Sequence, residues 1–159
     1  MNRNLKIRLA EKKDFYEILE LFESWKPDDW DKELAQKYYV RFFEQNQFPE
    51  DKNYVGGIDN RIITVIGYYQ DEEVDNIYWL GWFYTHRDFK RQGYGEQMLD
   101  YIMNELKHKH VEKLYTHTSS YKLYKPAQAL YLKKGFLKEG ILKDFYEHRE
   151  GRIFFCKHL

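Results

Sequence analysis

Cysteine and proline are almost missing from this chain, at 1 and 3 of 159 residues. A single cysteine excludes an internal disulfide framework. Cys156 lies in the apolar run Ile153-Phe154-Phe155-Cys156, where it reads as a small buried hydrophobe rather than a reactive thiol. No tract is rich enough in proline, serine or glycine to serve as an interdomain linker, and no internal repeat is visible. An excess of one charge is missing too: 26 Lys and Arg stand against 26 Asp and Glu. No global field therefore draws the chain to nucleic acid or to an anionic membrane, and any basic site must be local. Long hydrophobic runs are absent as well. The longest uncharged apolar stretches, around 62–69 and 77–85, fall short of the ~20 residues that a membrane span needs. The opening MNRNLKIRLAEKKDF has no apolar core of a secretory signal. The expectation is one soluble cytoplasmic domain over residues 1–159.

What the chain does have is aromatic side chains, with Tyr 15, Phe 11 and Trp 4. Tyr and Trp bury large areas yet keep a polar tip for a pocket. LKIRLA alternates as a strand. EKKDFYEILELFESW sets Phe15, Ile18, Leu19 and Phe22 at helical spacing. After WKPDDW a second helix is expected from about Asp31 to Asn46, with Leu34, Tyr38, Phe42 and Phe43 on one stripe. NYVGGI and RIITVIGYY, joined by Asp59-Asn60, read as a hairpin. IYWLGWFYT is nearly continuous in apolar residues and reads as a central strand buried on both faces. Met98, Leu99, Ile102, Met103 and Leu106 then form a helical stripe, and VEKLYTHTS a strand. KPAQALYLKK starts a helix with Pro126 in its first turn and stops it at Gly135. Two closing strands complete the order β-α-α-β-β-β-α-β-α-β-β. This is an α/β pattern, with helices on the faces of one mixed sheet.

The segment KRQGYGEQML, residues 90–99, places two glycines and two cations where a helix begins. A phosphate-binding P-loop would need Lys and then Ser or Thr after its last glycine, but Glu96 follows Gly95. A dinucleotide fingerprint would need a third glycine or alanine where Met98 stands. What remains is strand, loop, Gly-x-Gly, helix. That arrangement is either a plain turn or a cradle of backbone amides for a phosphorylated ligand, with Lys90 and Arg91 at its rim.

FYTHRDFKRQGYGEQML resembles the Arg/Gln-x-x-Gly-x-Gly/Ala signature of the GNAT (GCN5-related N-acetyltransferase) superfamily. AQALYLKKGF is similar to that family's Ala-x-x-Leu-Tyr-x-x-x-Gly-Phe segment. The two motifs stand in the family's order, and the element order agrees over essentially the whole chain. The resemblance implies the acyl-CoA N-acyltransferase fold and an enzyme that passes the acetyl group of acetyl-CoA to a primary amine by direct attack. It implies that the pyrophosphate rests on the amides of Arg91, Gln92, Gly93, Tyr94, Gly95 and Glu96. The pantetheine arm would pair with the backbone of Phe83, Tyr84 and Thr85, and Tyr131 would protonate the departing thiolate. Lys90 departs from the usual Arg or Gln, keeping the charge without the fork.

Many relatives carry a glutamate base on the central strand, but residues 77–85 contain no carboxylate or histidine. Glu73, Asp75, His86 and His117 are the nearby alternatives, each equally readable as ordinary polar surface, and deprotonation through water is expected. His108 and His110 end a helix without a cysteine or carboxylate cluster, so no metal is expected. For the acceptor, SWKPDDWDKE offers Trp25, Asp28, Asp29 and Trp30, with Trp79 and Trp82 on opposite faces of the strand. Aromatic faces beside carboxylates suit a small cationic amine, although the same residues read equally well as a loop anchor and helix cap. A protein or peptide acceptor, or a non-catalytic acyl-CoA-binding regulatory module, are the alternatives. The partners expected are a small-molecule amine and, in a possible homodimer, a second copy, with neither nucleic acid nor membrane.

Overall fold

The computed structural model describes residues 5–29, 31–45 and 49–159. Among them the chain forms β1 (Lys6–Leu9), α1 (Phe15–Glu23), α2 (Lys32–Val40), β2 (Lys52–Ile58), β3 (Arg61–Gln70), β4 (Ile77–Thr85), α3 (Tyr94–His108), β5 (Lys113–Ser119), α4 (Lys125–Lys133), β6 (Leu137–Leu142) and β7 (Arg152–His158). The order is the one expected. The strands make a mixed sheet in the order β1-β2-β3-β4-β5-β7-β6. The chain divides into two compact units, residues 1–69 with 81–102, and residues 70–80 with 103–159.

In the first unit β1, β2 and β3 pair antiparallel. Asp59 and Asn60 both take positive φ, 50° and 65°, which is the mirror-image turn whose twist suits a two-residue hairpin. Alternation then sorts the side chains. Val55 and Val65 join Ile18, Leu21 and Phe22 of α1 and Ala35 and Tyr39 of α2 in one core. On the other face Gly56 admits α3: a Cβ there would stand 2.7 Å from Thr64 and 2.9 Å from the Met98 sulfur. The stripe Met98, Leu99, Ile102, Met103 and Leu106 is buried throughout, as its spacing predicts.

Two expectations need correction. α2 ends at Val40 and continues as a π-helical turn over Arg41–Gln45, and the expected end at Asn46 lies outside the described residues. Leu34 is 57% exposed, while Ala35 and Tyr39 carry the buried contact and Tyr38, Phe42 and Phe43 flank it half-buried. The buried stripe is therefore rotated by one residue. Tyr39 stacks on Phe43 and packs against Phe22, so the larger rings decide which face turns inward. β4 is likewise not buried on both faces. Leu80 alone is fully buried, and the other side chains are half-buried apart from the exposed Gly81. Large aromatic side chains keep part of their surface accessible even where they are well packed.

In the second unit β4 pairs parallel with β5 through Ile77, Tyr78 and Trp79. β7 is inserted antiparallel between β5 and β6. α4 opens on Pro126 and closes at Gly135, whose φ of 84° is the left-handed cap expected of it. Cys156 is buried, and burial pushes its thiol up. No helix among the described residues is long and apolar enough to cross a membrane.

The rotated stripe has a measurable consequence. Ile18→Ala should cost about 2–5 kcal/mol, because Ile18 is fully buried and would leave a cavity. Leu34→Ala should stay within about 0.5 kcal/mol. Denaturant unfolding of both variants checks this, and comparable losses would restore Leu34 to the core.

Candidate functional site

The first unit contains the glycine loop. A short 3-10 turn, Arg87–Phe89, leads from β4 into residues 90–93, and α3 starts at Tyr94. Arg91 and Gly93 both adopt left-handed φ, 60° and 83°. Left-handed residues in a loop of this kind turn successive amides toward one concave side, where anions bind. Gln97 N–H bonds the Gly93 carbonyl, so the helical ladder opens at that carbonyl and the amides of Tyr94 and Gly95 stand in the first turn ahead of it. A Cβ built on Gly95 would lie 3.5 Å from the Phe83 ring and 3.7 Å from Thr85 Oγ1, so the helix begins close against β4. Lys90 extends to within 5.9 Å of the Trp25 ring centroid.

Alternation along β4 decides which groups face where. Phe83 and Thr85 turn toward the start of α3, and Trp82 and Tyr84 toward α1, with Phe22 centroids 5.4 and 4.2 Å away. The main chain alternates as well. His86 N–H bonds the Ile63 carbonyl on β3 at 2.8 Å, so residues of that parity point to β3 and Gly81, Phe83 and Thr85 point away from it. The Tyr84 carbonyl accepts from Thr64 Oγ1 at 3.0 Å. The Thr85 carbonyl accepts the Trp25 indole N–H at 2.9 Å. Of the three residues expected to pair with pantetheine, Phe83 alone has both a main chain directed away from β3 and a carbonyl without such a side-chain donor.

The connection between α1 and α2 is tied to this strand end. Ser24 Oγ accepts the Arg87 N–H at 3.0 Å, and Arg87 reaches Asp28 at 2.7 Å while lying over the Trp25 ring. Asp28 and Trp25 are thus engaged by the protein's own cations. Trp30 lies outside the described residues. Asp29 is buried, and its Oδ2 lies 2.6 Å from the Tyr84 hydroxyl, which also meets Asp31 Oδ2 at 2.7 Å. A phenol has one proton and can donate to only one of these carboxylates, so the second contact requires a proton on a carboxyl. Burial, and then the charge of Asp29, push the Asp31 carboxyl above its ordinary value, against the Tyr84 hydrogen bond. Sequence reasoning missed Asp31 and the Tyr84 side chain. The two-residue spacing of Asp29 and Asp31 and the shared parity of Trp82 and Tyr84 were the available signals.

In the second unit Tyr131 is buried against Phe136 and Phe155, and its hydroxyl is hydrogen-bonded to the Thr116 side chain. Burial raises the phenol's pKa, so it keeps its proton. Trp79 stacks on Tyr115 and donates its indole N–H to Asp71 at 2.8 Å. Of the four alternative bases, Glu73 is held through its own N–H in a turn on Asp71, and Asp75 meets Gln70. His86 is lowered by burial and by Arg61, whose Nη2 lies 3.2 Å from the ring. His117 is pushed down to about 4 by burial and then by Arg152. Both imidazoles are therefore neutral at pH 7. Among the described residues no group of three His, Cys, Asp or Glu side chains could hold a metal.

A family model described as the acetyltransferase (GNAT) family matches residues 15–136. A search of curated proteins finds no match. Solved structures share the fold. A protein assigned to the GNAT acetyltransferases from Desulfovibrio desulfuricans is 18% identical with a TM-score of 0.86, covering 98% of this chain and 99% of that one. The ribosomal-protein-S18-alanine N-acetyltransferase of Escherichia coli is 20% identical with a TM-score of 0.79, covering 98% and 94%. An N-acetyltransferase of Staphylococcus aureus is 16% identical with a TM-score of 0.75, covering 98% and 99%.

The Asp29–Tyr84–Asp31 contact sets a pH dependence. A carboxyl whose folded pKa is raised binds its proton more tightly when folded, so its stabilisation is complete below the ordinary carboxylate range and is lost as pH rises through the raised value. Stability should therefore fall as pH rises above ~4. Asp31→Asn, which can donate to the phenol oxygen without titrating, should flatten that limb. Denaturant unfolding across pH 4 to 8 tests it, and an unaltered limb in the variant would remove Asp31 as its source.

Proposed function

The chain belongs to the GNAT acetyltransferase family, and from that premise we propose that it transfers the acetyl group of acetyl-CoA to the primary amine of a small acceptor. The observation that carries this reading is the loop before α3, where the left-handed Arg91 and Gly93 lead into a helix start whose Gly95 packs close on β4. Such a cradle suits a pyrophosphate: the amides donate, the helix dipole adds about half a positive charge, and Lys90 supplies a formal one. When bound, acetyl-CoA supplies an activated thioester carbonyl. In this reading the main chain of Phe83, with that of Gly81, pairs with its pantetheine arm in the manner of an added strand, which its direction away from β3 supports.

Tyr131 is the proposed general acid. Its hydroxyl keeps its proton at neutral pH and is oriented by Thr116, as a donor to a departing thiolate must be. An ammonium acceptor must lose a proton before it attacks. β4 offers no carboxylate for this, so the reading assigns the step to water, with the acid limb of the rate set by the acceptor's own pKa.

Two variants test the cradle. Gly93→Val puts a branched side chain at a φ of 83° and should abolish acetyl-CoA binding measured by calorimetry. Gly95→Ala keeps ordinary contacts with Phe83, so the fold should persist while affinity drops by about tenfold or more. Unchanged affinity in both variants would sink the assignment.

Tyr131→Phe should lower kcat by about 10²–10⁴-fold with acetyl-CoA affinity unchanged. A loss below about threefold would reduce Tyr131 to a packed ring bonded to Thr116.

A further inference from the structure

The second unit contains a cation that, among the described residues, has no counter-charge. Arg152, at the start of β7, is half-buried. Its guanidinium lies 4.3 Å from the Phe145 ring centroid and 5.7 Å from that of Tyr146, and its Nε donates to the Tyr146 hydroxyl at 3.2 Å. Among the described residues no carboxylate pairs with it, and its two Nη groups have no acceptor. Taking a cation partly out of water without a partner is costly. An arginine held over a ring and tied through its Nε is also pre-organised to grip an anion with two parallel hydrogen bonds.

Its surroundings are those of a binding surface. On β5 the residues Tyr115, His117 and Ser119 share a face, and opposite them on β7 stand Cys156, Phe154 and Arg152 in that order. Trp79 stacks on Tyr115 with centroids 5.0 Å apart and meets Phe154 edge-on at 6.3 Å. The loop that carries Phe145 and Tyr146 is closed at its base by Gly151 N–H to Ser120 Oγ and Ser120 N–H to the Gly151 carbonyl, both 2.8 Å. A half-buried aromatic floor thus ends at an unpaired guanidinium.

Resting on the acetyl-transfer reading, we propose that this face recognises the acceptor, and that the acceptor is a small amine carrying a carboxylate, which Arg152 binds through both Nη groups. The amine is cationic in free solution, as expected from the sequence, but the charge that selects it is its negative one. Asp28 and Trp25, whose chemistry would suit a cationic end, are instead held by Arg87 and the Thr85 carbonyl.

The test compares alanine, leucine and phenylalanine, each as free acid, α-amide and decarboxylated amine. Affinity for CoA-saturated protein is measured by calorimetry, and transfer from acetyl-CoA by thiol release. The acids should bind at least about tenfold more tightly than their amides. Arg152→Gln should erase that difference while leaving the amides and CoA itself within about twofold, and Arg152→Lys should retain part of it. Should Arg152→Gln fail to fold, the lysine variant and the wild-type acid-to-amide ratio still decide the matter. Equal affinity for acids and amides, equal weakening of both in the variants, or no binding by any compound overturns the proposal. Weakened CoA binding in Arg152→Gln also overturns it, by assigning the guanidinium to a cofactor phosphate. Acid-selective binding without thiol release would leave this proposal standing and remove the acetyl-transfer reading; thiol release without acid selectivity would do the reverse.

Discussion

Successive side chains of β4 point to opposite sides of the sheet, so Trp82 and Tyr84 must face α1 while Phe83 and Thr85 face the start of α3. The neighbours of this strand end follow from that constraint. Gly95 begins its helix within ordinary contact range of Phe83 and Thr85, the two side chains that emerge on its side. Asp29 and Asp31 meet one hydroxyl because Tyr84 emerges on their side. The main chain alternates with the side chains, which leaves Phe83 as the group able to extend the strand toward a ligand. A one-residue slip would exchange every one of these roles.

The tie between the α1–α2 connection and β4 combines interactions of unequal weight. The Arg87–Asp28 pair is close, at 2.7 Å, but both side chains are over a third exposed, and such pairs contribute about 0–1 kcal/mol. The Trp25 indole bond to the Thr85 carbonyl and the Tyr84 bridge are partly buried, and a buried hydrogen bond left unmade costs about 1–3 kcal/mol. The partly buried polar contacts therefore hold the connection more than the exposed ion pair does. Trp25 and Asp28 read equally as substrate groups or as a loop anchor in the sequence, and their partners favour the anchor.

Element order, the Asp59-Asn60 hairpin, the α3 stripe and the Gly135 cap were legible because each rests on local chemistry: a period, a positive φ, a missing Cβ. The buried stripe of α2 was not. Leu34 and Ala35 are adjacent in sequence, and the choice between them is made by Phe22, which lies in another helix. The burial of β4 was misread because apolar composition does not reveal what covers a face. In the candidate site the glycine loop was visible as a motif. The Asp31–Tyr84 contact spans 53 residues and joins two elements whose pairing no local pattern announces. Arg152 was hidden for the opposite reason, since an arginine in a strand near the end of a chain looks like ordinary surface until the rings around it are seen.

The chemistry of acetyl transfer bears on which end of an acceptor a protein should grip. Only the neutral amine attacks, so a carboxylate placed on the ammonium would stabilise the protonated form, raise the amine's pKa and oppose the reaction it serves. Interactions made equally with ground state and transition state improve binding without hastening the step. A carboxylate remote from the reacting nitrogen can be held tightly with neither penalty, because its charge does not change as the new bond forms. Neutral histidines fit the same logic: His117 is kept uncharged by burial and by Arg152, so the guanidinium faces no second cation competing for an anion at neutral pH. Recognition through a fixed guanidinium, with deprotonation left to water, is the arrangement that a strand without a carboxylate base can support.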